Sequence, residues 1–67
     1  MRYFFNVLNN HTYRDETGYF FASSQDAIDY AETIAHELAK EPDLRDSFVG
    51  VLDEQGQEIA KVSIRTA

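Results

Sequence analysis

The chain has no cysteine, no tryptophan and only one proline among its 67 residues. Without cysteine it can form neither a disulfide nor a thiolate metal site. It also contains no apolar run of about 18 residues and no basic segment followed by a hydrophobic stretch, so we expect neither a membrane span nor a signal peptide. These absences favour a soluble, cytoplasmic protein without a membrane partner, although exported proteins that lack cysteine are also common.

Basic residues are half as frequent as acidic residues. Six Lys and Arg against twelve Asp and Glu give the chain a formal net charge of −6. This charge repels phosphate backbones and anionic lipid, so we expect no nucleic-acid binding unless the basic residues converge on one face. The simplest interpretation is that negative charge keeps a small domain soluble. The alternative that an acidic surface binds a basic protein partner, or imitates nucleic acid, stays open.

The length allows a single domain, which we assign to residues 1–67. A chain of this size buries a smaller fraction of its surface than a larger domain does, so its stability is expected to be marginal unless something is added. Since disulfides are excluded, oligomerisation is the addition that remains.

Residues 23–40 are the only segment with an unambiguous helical period. Six apolar residues recur there at spacings of three and four and form one stripe: Ala27, Ile28, Ala31, Ile34, Ala35 and Leu38. Ser23 or Ser24 is the expected N-cap, and Asp26 takes the position of a capping-box acid if Ser23 is the cap. Pro42 disfavours helical geometry in the residue before it and ends the helix. Because half of the stripe is alanine, a covering sheet can approach closely and must supply bulky side chains.

Four segments have the composition of strands, rich in aromatic and β-branched residues. They are residues 2–8, 19–22, 48–53 and 58–65. Residues 9–18 are polar, rich in turn formers, and predicted to be a loop. The order β-β-α-β-β predicts an α+β fold, in which a four-stranded antiparallel sheet with the spatial strand order 2-1-3-4 carries the helix on one face.

Alternation along each strand assigns one sheet face to the helix. The side chains expected on that face are Tyr3, Phe5, Val7, Val49, Val51, Ala60, Val62 and Ile64. In the second strand, period alone does not decide whether Phe20 or Phe21 faces the helix.

The opposite sheet face also carries apolar side chains, which is unusual for a face in contact with water. We predict that four of them form an apolar patch and that this patch is the interface of a homodimer. The four residues are Phe4, Leu8, Leu52 and Ile59.

No constellation in the sequence predicts catalysis. Asp15 with Glu16, and Asp53 with Glu54, are adjacent carboxylates in turns, where they stay hydrated and ionised. A catalytic acid instead needs burial or a close partner that raises its pKa. The sequence has no nucleophile elbow and no glycine-rich phosphate loop. We therefore expect no enzyme activity and no catalytic residues.

A metal site is also not expected. Glu32 and His36 lie four residues apart on the polar helix face, close enough to share a metal ion. A zinc site needs three or four ligands, however, and only His11 could join them from a distant loop. The preferred interpretation is a solvated helix face with no metal and no cofactor.

Several short motifs together resemble a known family. They are RYFF at residues 2–5, DETG at 15–18, Ala27 on the helix and DEQG at 53–56. Over nearly its whole length the chain is similar to the small bacterial proteins grouped as domain of unknown function 6894. These proteins typically open with an Arg-Tyr-Phe-Phe strand and carry an Asp-x-x-Gly turn, an alanine-rich helix and a closing hairpin. The resemblance implies a fold and a bacterial origin, but no activity, because none is established for the family.

The sequence therefore favours a non-catalytic interaction module that self-associates through the sheet face not covered by the helix. A second hypothesis is a small-molecule or metal-binding module that uses loop 9–18, including His11 and Tyr13, with the polar helix face. A third is an acidic regulator that blocks a basic site on a protein partner.

Overall fold

The computed structural model of the chain describes residues 1–65. Its elements follow in the order β1 (Arg2–Leu8), β2 (Thr12–Tyr13), β3 (Tyr19–Phe20), α1 (Ser24–Leu38), a 3₁₀ turn (Pro42–Leu44), β4 (Ser47–Leu52) and β5 (Glu58–Ile64). One helix packed on an antiparallel sheet makes this an α+β fold, as predicted. Within the described residues, no helix is long and apolar enough to cross a membrane.

All strand pairs are antiparallel, and the order across the sheet is β2-β1-β4-β5. β3 also pairs with β1, at the opposite end of that strand from β2. Because β4 occupies one edge of β1, β2 and β3 share the other edge. The order of the four predicted strands is confirmed, although the strand predicted at residues 19–22 is only the two-residue β3. The sheet has one further strand, β2, which lies inside the predicted loop and is too short to leave a periodic signal in the sequence.

Helix α1 begins after Ser23, whose Oγ accepts a hydrogen bond from the backbone N–H of Asp26 at 3.2 Å. Of the two serines considered, Ser23 is therefore the N-cap. The regular helix ends at Leu38, slightly before the predicted end at Lys40. The N–H of Lys40 donates to the carbonyl of Glu37, three residues back, so the last turn tightens before the chain leaves the helix.

The core lies between α1 and the sheet. The helix side is built from small residues that are at most 5% exposed, namely Ala27, Ala31, Ala35 and Ala39. The sheet supplies the bulk through the buried Tyr3, Phe5, Val49, Val51 and Ile64, with Val7, Ala60 and Val62 packed against them. Each side chain that alternation assigned to the helix face therefore lies in or beside the core. Short alanine side chains let the helix approach the sheet closely, as predicted.

The direction of the second predicted strand is now decided. Tyr19 pairs with Tyr3, whose side chain faces the helix, so Tyr19 and Phe21 face the helix and Phe20 faces away from it. Phe21 packs against the core. Phe20 is 68% exposed, and the guanidinium carbon of Arg2 lies 4.6 Å from its ring centroid. Of the two residues that the period could not distinguish, Phe21 is thus the one that is partly buried and faces the helix.

Candidate functional site

We call the sheet face opposite α1 the outer face. Two cross-strand pairs of its side chains are Phe4 with Leu52 and Leu8 with Phe48. A methyl group placed on Gly50 would lie 3.4 Å from Cδ1 of Leu8 and 3.9 Å from Cδ1 of Leu52, so both leucine side chains extend over the glycine. Three of the four side chains predicted for the patch are therefore neighbours, and each is partly buried within the chain itself.

Ile59, the fourth predicted patch residue, lies at a β-bulge. The pairing of β4 with β5 shifts by one residue after Val51, so Leu52 pairs with Glu58 and Ile59 is the extra residue. Ile59 is 37% exposed. The shift also turns Glu58 toward the outer face, where its Oε1 lies 3.1 Å from the methyl position of Gly50. Strict alternation places Glu58 on the helix face, so the sequence pattern alone could not locate this carboxylate.

Two further aromatic side chains belong to the outer face, and each lies beside a cation. Phe20 lies beside Arg2, and Phe48, which is 36% exposed, has the Nζ of Lys61 5.0 Å from its ring centroid. Neither was included in the predicted patch. The sequence could have placed Phe48 in the patch, because alternation along the strand puts it on the same face as Leu52.

A groove with a volume of about 430 Å³ opens on the outer face. Its floor is formed by Phe4, Asn6 and Leu52. One wall is residues 14–16, at the start of the first Asp-x-x-Gly turn, and the other is formed by residues of the second turn, 53–56. The two motifs that the sequence singled out as turns therefore flank one depression. Four of the lining side chains are acidic and one, Arg14, is basic.

Asp15 fixes the first wall to the sheet. Its Oδ2 accepts a hydrogen bond from the backbone N–H of Phe5 at 3.2 Å, and its Oδ1 accepts from Thr17 and Gly18, both at 3.0 Å. In return the N–H of Asp15 donates to Oδ1 of Asn6 at 2.9 Å. Partial burial alone would raise the pKa of Asp15, but the backbone hydrogen bonds from Gly18, Thr17 and Phe5 outweigh it and hold the pKa below 3.8.

The second wall is a hairpin turn that is held by its own aspartate and by one hydrogen bond to β1. Oδ1 of Asp53 accepts hydrogen bonds from the backbone N–H groups of Gln55 and Gln57, both at 2.9 Å. Oε2 of Glu54 accepts from the backbone N–H of Arg2 at 3.3 Å. The carboxylates of Asp15 and Asp53 thus act as turn-forming acceptors, which is the structural interpretation that the sequence favoured.

On the helix side of the same sheet edge, two tyrosines form a pair. The rings of Tyr19 and Tyr30 lie 5.4 Å apart. Burial, then a hydrogen bond with Tyr19, and then the nearby negative charges of Tyr19 and Asp15 raise the pKa of Tyr30 above 10.0. Near neutral pH the lowered pKa keeps Asp15 ionised and the raised pKa keeps Tyr30 protonated, so neither group is poised there as a general acid or base.

The residues of the alternative site are distributed over different parts of the molecule. The rings of His11 and Tyr13 lie 4.7 Å apart beside β2. Glu32 and His36 are exposed on α1. Among residues 1–65, no group of three or more His, Asp or Glu side chains is placed to hold a metal ion.

Comparison with known proteins identifies a family for nearly the whole chain. No curated protein and no solved structure is significantly similar to it. The sequence profile described as Domain of unknown function (DUF6894) matches residues 2–65, a range that includes all the strands, the helix and both walls of the groove. The chain belongs to this family of proteins with a domain of unknown function.

Proposed function

We propose that this protein is a non-catalytic interaction module that binds a second copy of itself through the outer face of its sheet. The observation that carries the proposal is the apolar character of that face. Helix α1 covers one side of the sheet, while Phe20, Phe48 and Ile59 remain 68%, 36% and 37% exposed on the other. Large apolar side chains exposed on a sheet face that no helix covers are typical of protein interfaces.

The size of the chain sets an upper limit on the interface. Its two longer dimensions are 32 and 23 Å, so one whole face has an outline of at most about 700 Å², and a stable interface, in which each partner buries ~800 Å² of accessible surface, would use nearly all of it. Burial of apolar area contributes about 25 cal/mol per Å². Because a 67-residue domain has a small core, this added burial would raise the stability of each copy.

The groups in the groove support a binding role over a catalytic one. Asp15, Asp53 and Glu54 already accept hydrogen bonds from backbone N–H groups. The pKa of Asp15 is lowered, whereas a general acid at neutral pH needs a raised pKa. These carboxylates hold two turns in place beside an apolar floor.

Sedimentation velocity over a range of micromolar concentrations tests the self-association. We expect the chain to dimerise and the Ile59→Glu variant to dissociate, because a charge would be placed in the interface. Phe4→Ser tests the same patch at a more buried position, with circular dichroism to verify folding. Tyr13→Ser is the matched control, since Tyr13 is 51% exposed but pairs with Val7 and so lies on the helix side. A wild-type chain that stays monomeric throughout would contradict the proposal.

A second candidate function is binding of a small molecule by loop 9–18. One observation favours it: residues 14–16 of that loop form a wall of the groove. The polar face of α1 lies on the other side of the sheet, so a ligand in the groove would not reach it. Native mass spectrometry of protein purified from cells would detect a retained ligand. An empty protein that is unaffected by His11→Ala and His36→Ala would count against this function.

A further inference from the structure

We propose that the free edge of β5 pairs with β5 of a second copy, in an antiparallel two-fold contact that joins the two sheets into one continuous sheet. This contact goes beyond the outer-face association proposed above and does not depend on it. It rests on the backbone groups that β5 leaves unpaired at the edge of the sheet.

The two edges of the sheet differ. On one side, β1 is closed by β2, by β3 and by the Asp15 carboxylate between them. On the other side, β5 is the last strand and pairs with β4. Among residues 1–65, no further strand pairs with β5, and no turn or loop forms a backbone hydrogen bond with Lys61 or Ser63. The edge of β5 is therefore open.

The alternation of hydrogen bonds across the sheet shows which residues of β5 face the open edge. The N–H of Phe5 donates to Asp15 and so points away from β4. The residues on either side of Phe5 therefore bond with β4, and Gly50 is among their partners. Because the backbone groups of Gly50 are directed to β1, those of Lys61, which lies opposite Gly50, are directed away from β4. Ser63 points the same way, so both residues present an N–H and a C=O to the open edge.

A lysine and a β-bulge often protect an edge strand, and β5 has both, but neither closes its edge. The Lys61 ammonium lies 5.0 Å from the ring centroid of Phe48 on β4, so this side chain is directed over its own sheet. The bulge is at Ile59, near the start of the strand, and residues 60–64 pair with β4 in unbroken register. Residues 60–64 are therefore a regular strand segment with an open edge.

One register suits two copies of this segment. A two-fold axis perpendicular to the sheet beside Val62, the middle residue, pairs residues 60–64 with the same residues of the other copy. Lys61 then lies opposite Ser63, and these two residues exchange backbone hydrogen bonds at both ends of the contact. An axis moved by one residue would place Lys61 opposite Lys61 or opposite Arg65. Like charges directly opposite each other destabilise a strand pair, so overlap and charge select the same register.

The helices leave room for this contact. α1 packs over both β4 and β5. Because neighbouring strands lie about 4.8 Å apart, a helix above the space between β4 and β5 lies about 5 Å from the two-fold axis. The two helices would then be about 10 Å apart, which is the spacing of packed helices. Both outer faces lie on the same side of the joined sheet, so the edge contact leaves them uncovered.

Amide hydrogen exchange, measured residue by residue with NMR, tests the contact. The Lys61 and Ser63 amides should exchange fast at micromolar concentration and at least about tenfold more slowly at millimolar concentration. The higher concentration is needed because the contact has few hydrogen bonds, each with a small net contribution. The Val62 amide, which points to β4, should be slow throughout. Fast exchange of Lys61 and Ser63 at millimolar concentration would overturn the proposal. Slow exchange at every concentration would indicate an acceptor within the same chain and would also overturn it.

Opposite charges at Ser63 test the register. Ser63→Glu places a carboxylate opposite Lys61 of the other copy at both ends of the contact, so the concentration at which the amides become half protected should fall about threefold or more. Ser63→Lys should raise that concentration by a similar factor. Thr33→Glu and Thr33→Lys make the same changes of charge on the exposed surface of α1 and should leave it unchanged. A shift in the same direction for both Ser63 variants would overturn the proposed pairing.

Phe4→Ser separates the edge contact from the outer-face contact, because Phe4 lies on β1, two strands away from β5. This variant should weaken the outer-face dimer in sedimentation velocity and leave the protection of the Lys61 and Ser63 amides unchanged. A wild type that dimerises while both amides stay fast would keep the outer-face dimer and overturn the edge contact. Protected amides in a chain whose sedimentation does not respond to Phe4→Ser would support the edge contact and contradict the outer-face dimer.

Discussion

The two Asp-x-x-Gly turns share two local features in very different surroundings. In residues 15–18 and in residues 53–56, an Asp Oδ1 accepts a hydrogen bond from the N–H two residues later, and the glycine has a positive φ of 74° or 81°. Around Gly56 there is open space for a side chain, whereas a Cβ on Gly18 would lie 2.8 Å from the carbonyl oxygen of Tyr3. The turn at residues 53–56 is thus a hairpin tip with room around its glycine, whereas the turn at residues 15–18 is packed against the sheet.

The edge of β1 explains why the first turn is held so closely. β3 pairs with the first residues of β1 and β2 pairs with the last, which leaves the N–H of Phe5 between two short ladders. The Asp15 carboxylate fills this interruption by accepting from Phe5. A side chain thus takes the place of a missing strand residue, because a buried backbone N–H without an acceptor is costly. In the second turn, by contrast, the Asp53 side chain accepts hydrogen bonds only from its own hairpin among the described residues.

Alanine substitution of the two glycines should give the largest difference between the turns. Gly18→Ala combines the strain of a positive φ, about 1–2 kcal/mol, with a clash against backbone, so we expect a loss of about 3 kcal/mol or more. Gly56→Ala has only the strain and should lose about 1–2 kcal/mol. Urea unfolding at one protein concentration measures both. Equal losses would show that the contact with Tyr3 does not matter.

Amide substitution of the two aspartates should give a smaller difference in the same direction. Asp15→Asn weakens three charge-assisted hydrogen bonds, including the bond to the β1 edge, and should destabilise by about 2 kcal/mol. Asp53→Asn affects bonds within its own hairpin and should cost about 1 kcal/mol. The same unfolding experiment compares them, with Asp29→Asn on the exposed helix surface as the control. A larger loss for Asp53→Asn would contradict the bracing role of Asp15.

The pH dependence of stability should also distinguish Asp15. Its pKa in the folded chain lies below the usual 3.8, so the stabilisation from its ionised form is complete above that value and is lost as the pH falls through the lower folded pKa. The difference in stability between the wild type and Asp15→Asn should therefore shrink as the pH is lowered into the acidic range. Thermal unfolding of both from neutral to acidic pH measures this convergence. A constant difference between them at all pH values would show that ionisation of Asp15 contributes nothing.

Alternation was sufficient for most of the fold, because the helix buries one face of a regular sheet. Tyr3, Phe5 and Val49 were placed correctly for that reason. Alternation failed where the chain departs from regular strand pairing. The bulge at Ile59 turns Glu58 towards the outer face, and β2, with two residues, is too short to show a periodic pattern. The groove was not predicted, because its walls are two turns far apart in sequence, and the strand order alone does not give the register of β1 with β4 that places both turns beside one floor.

The second residue of each turn should give the smallest effect on folding. Glu54 accepts a hydrogen bond from the backbone N–H of Arg2 at the surface, so Glu54→Ala should destabilise by no more than about 0.5 kcal/mol. Glu16→Ala should leave unfolding unchanged within error, because its carboxylate accepts no hydrogen bond among the described residues. Urea unfolding of the two variants at one protein concentration measures both. A larger loss for Glu16→Ala than for Glu54→Ala would show that the hydrogen bond to Arg2 does not set the order.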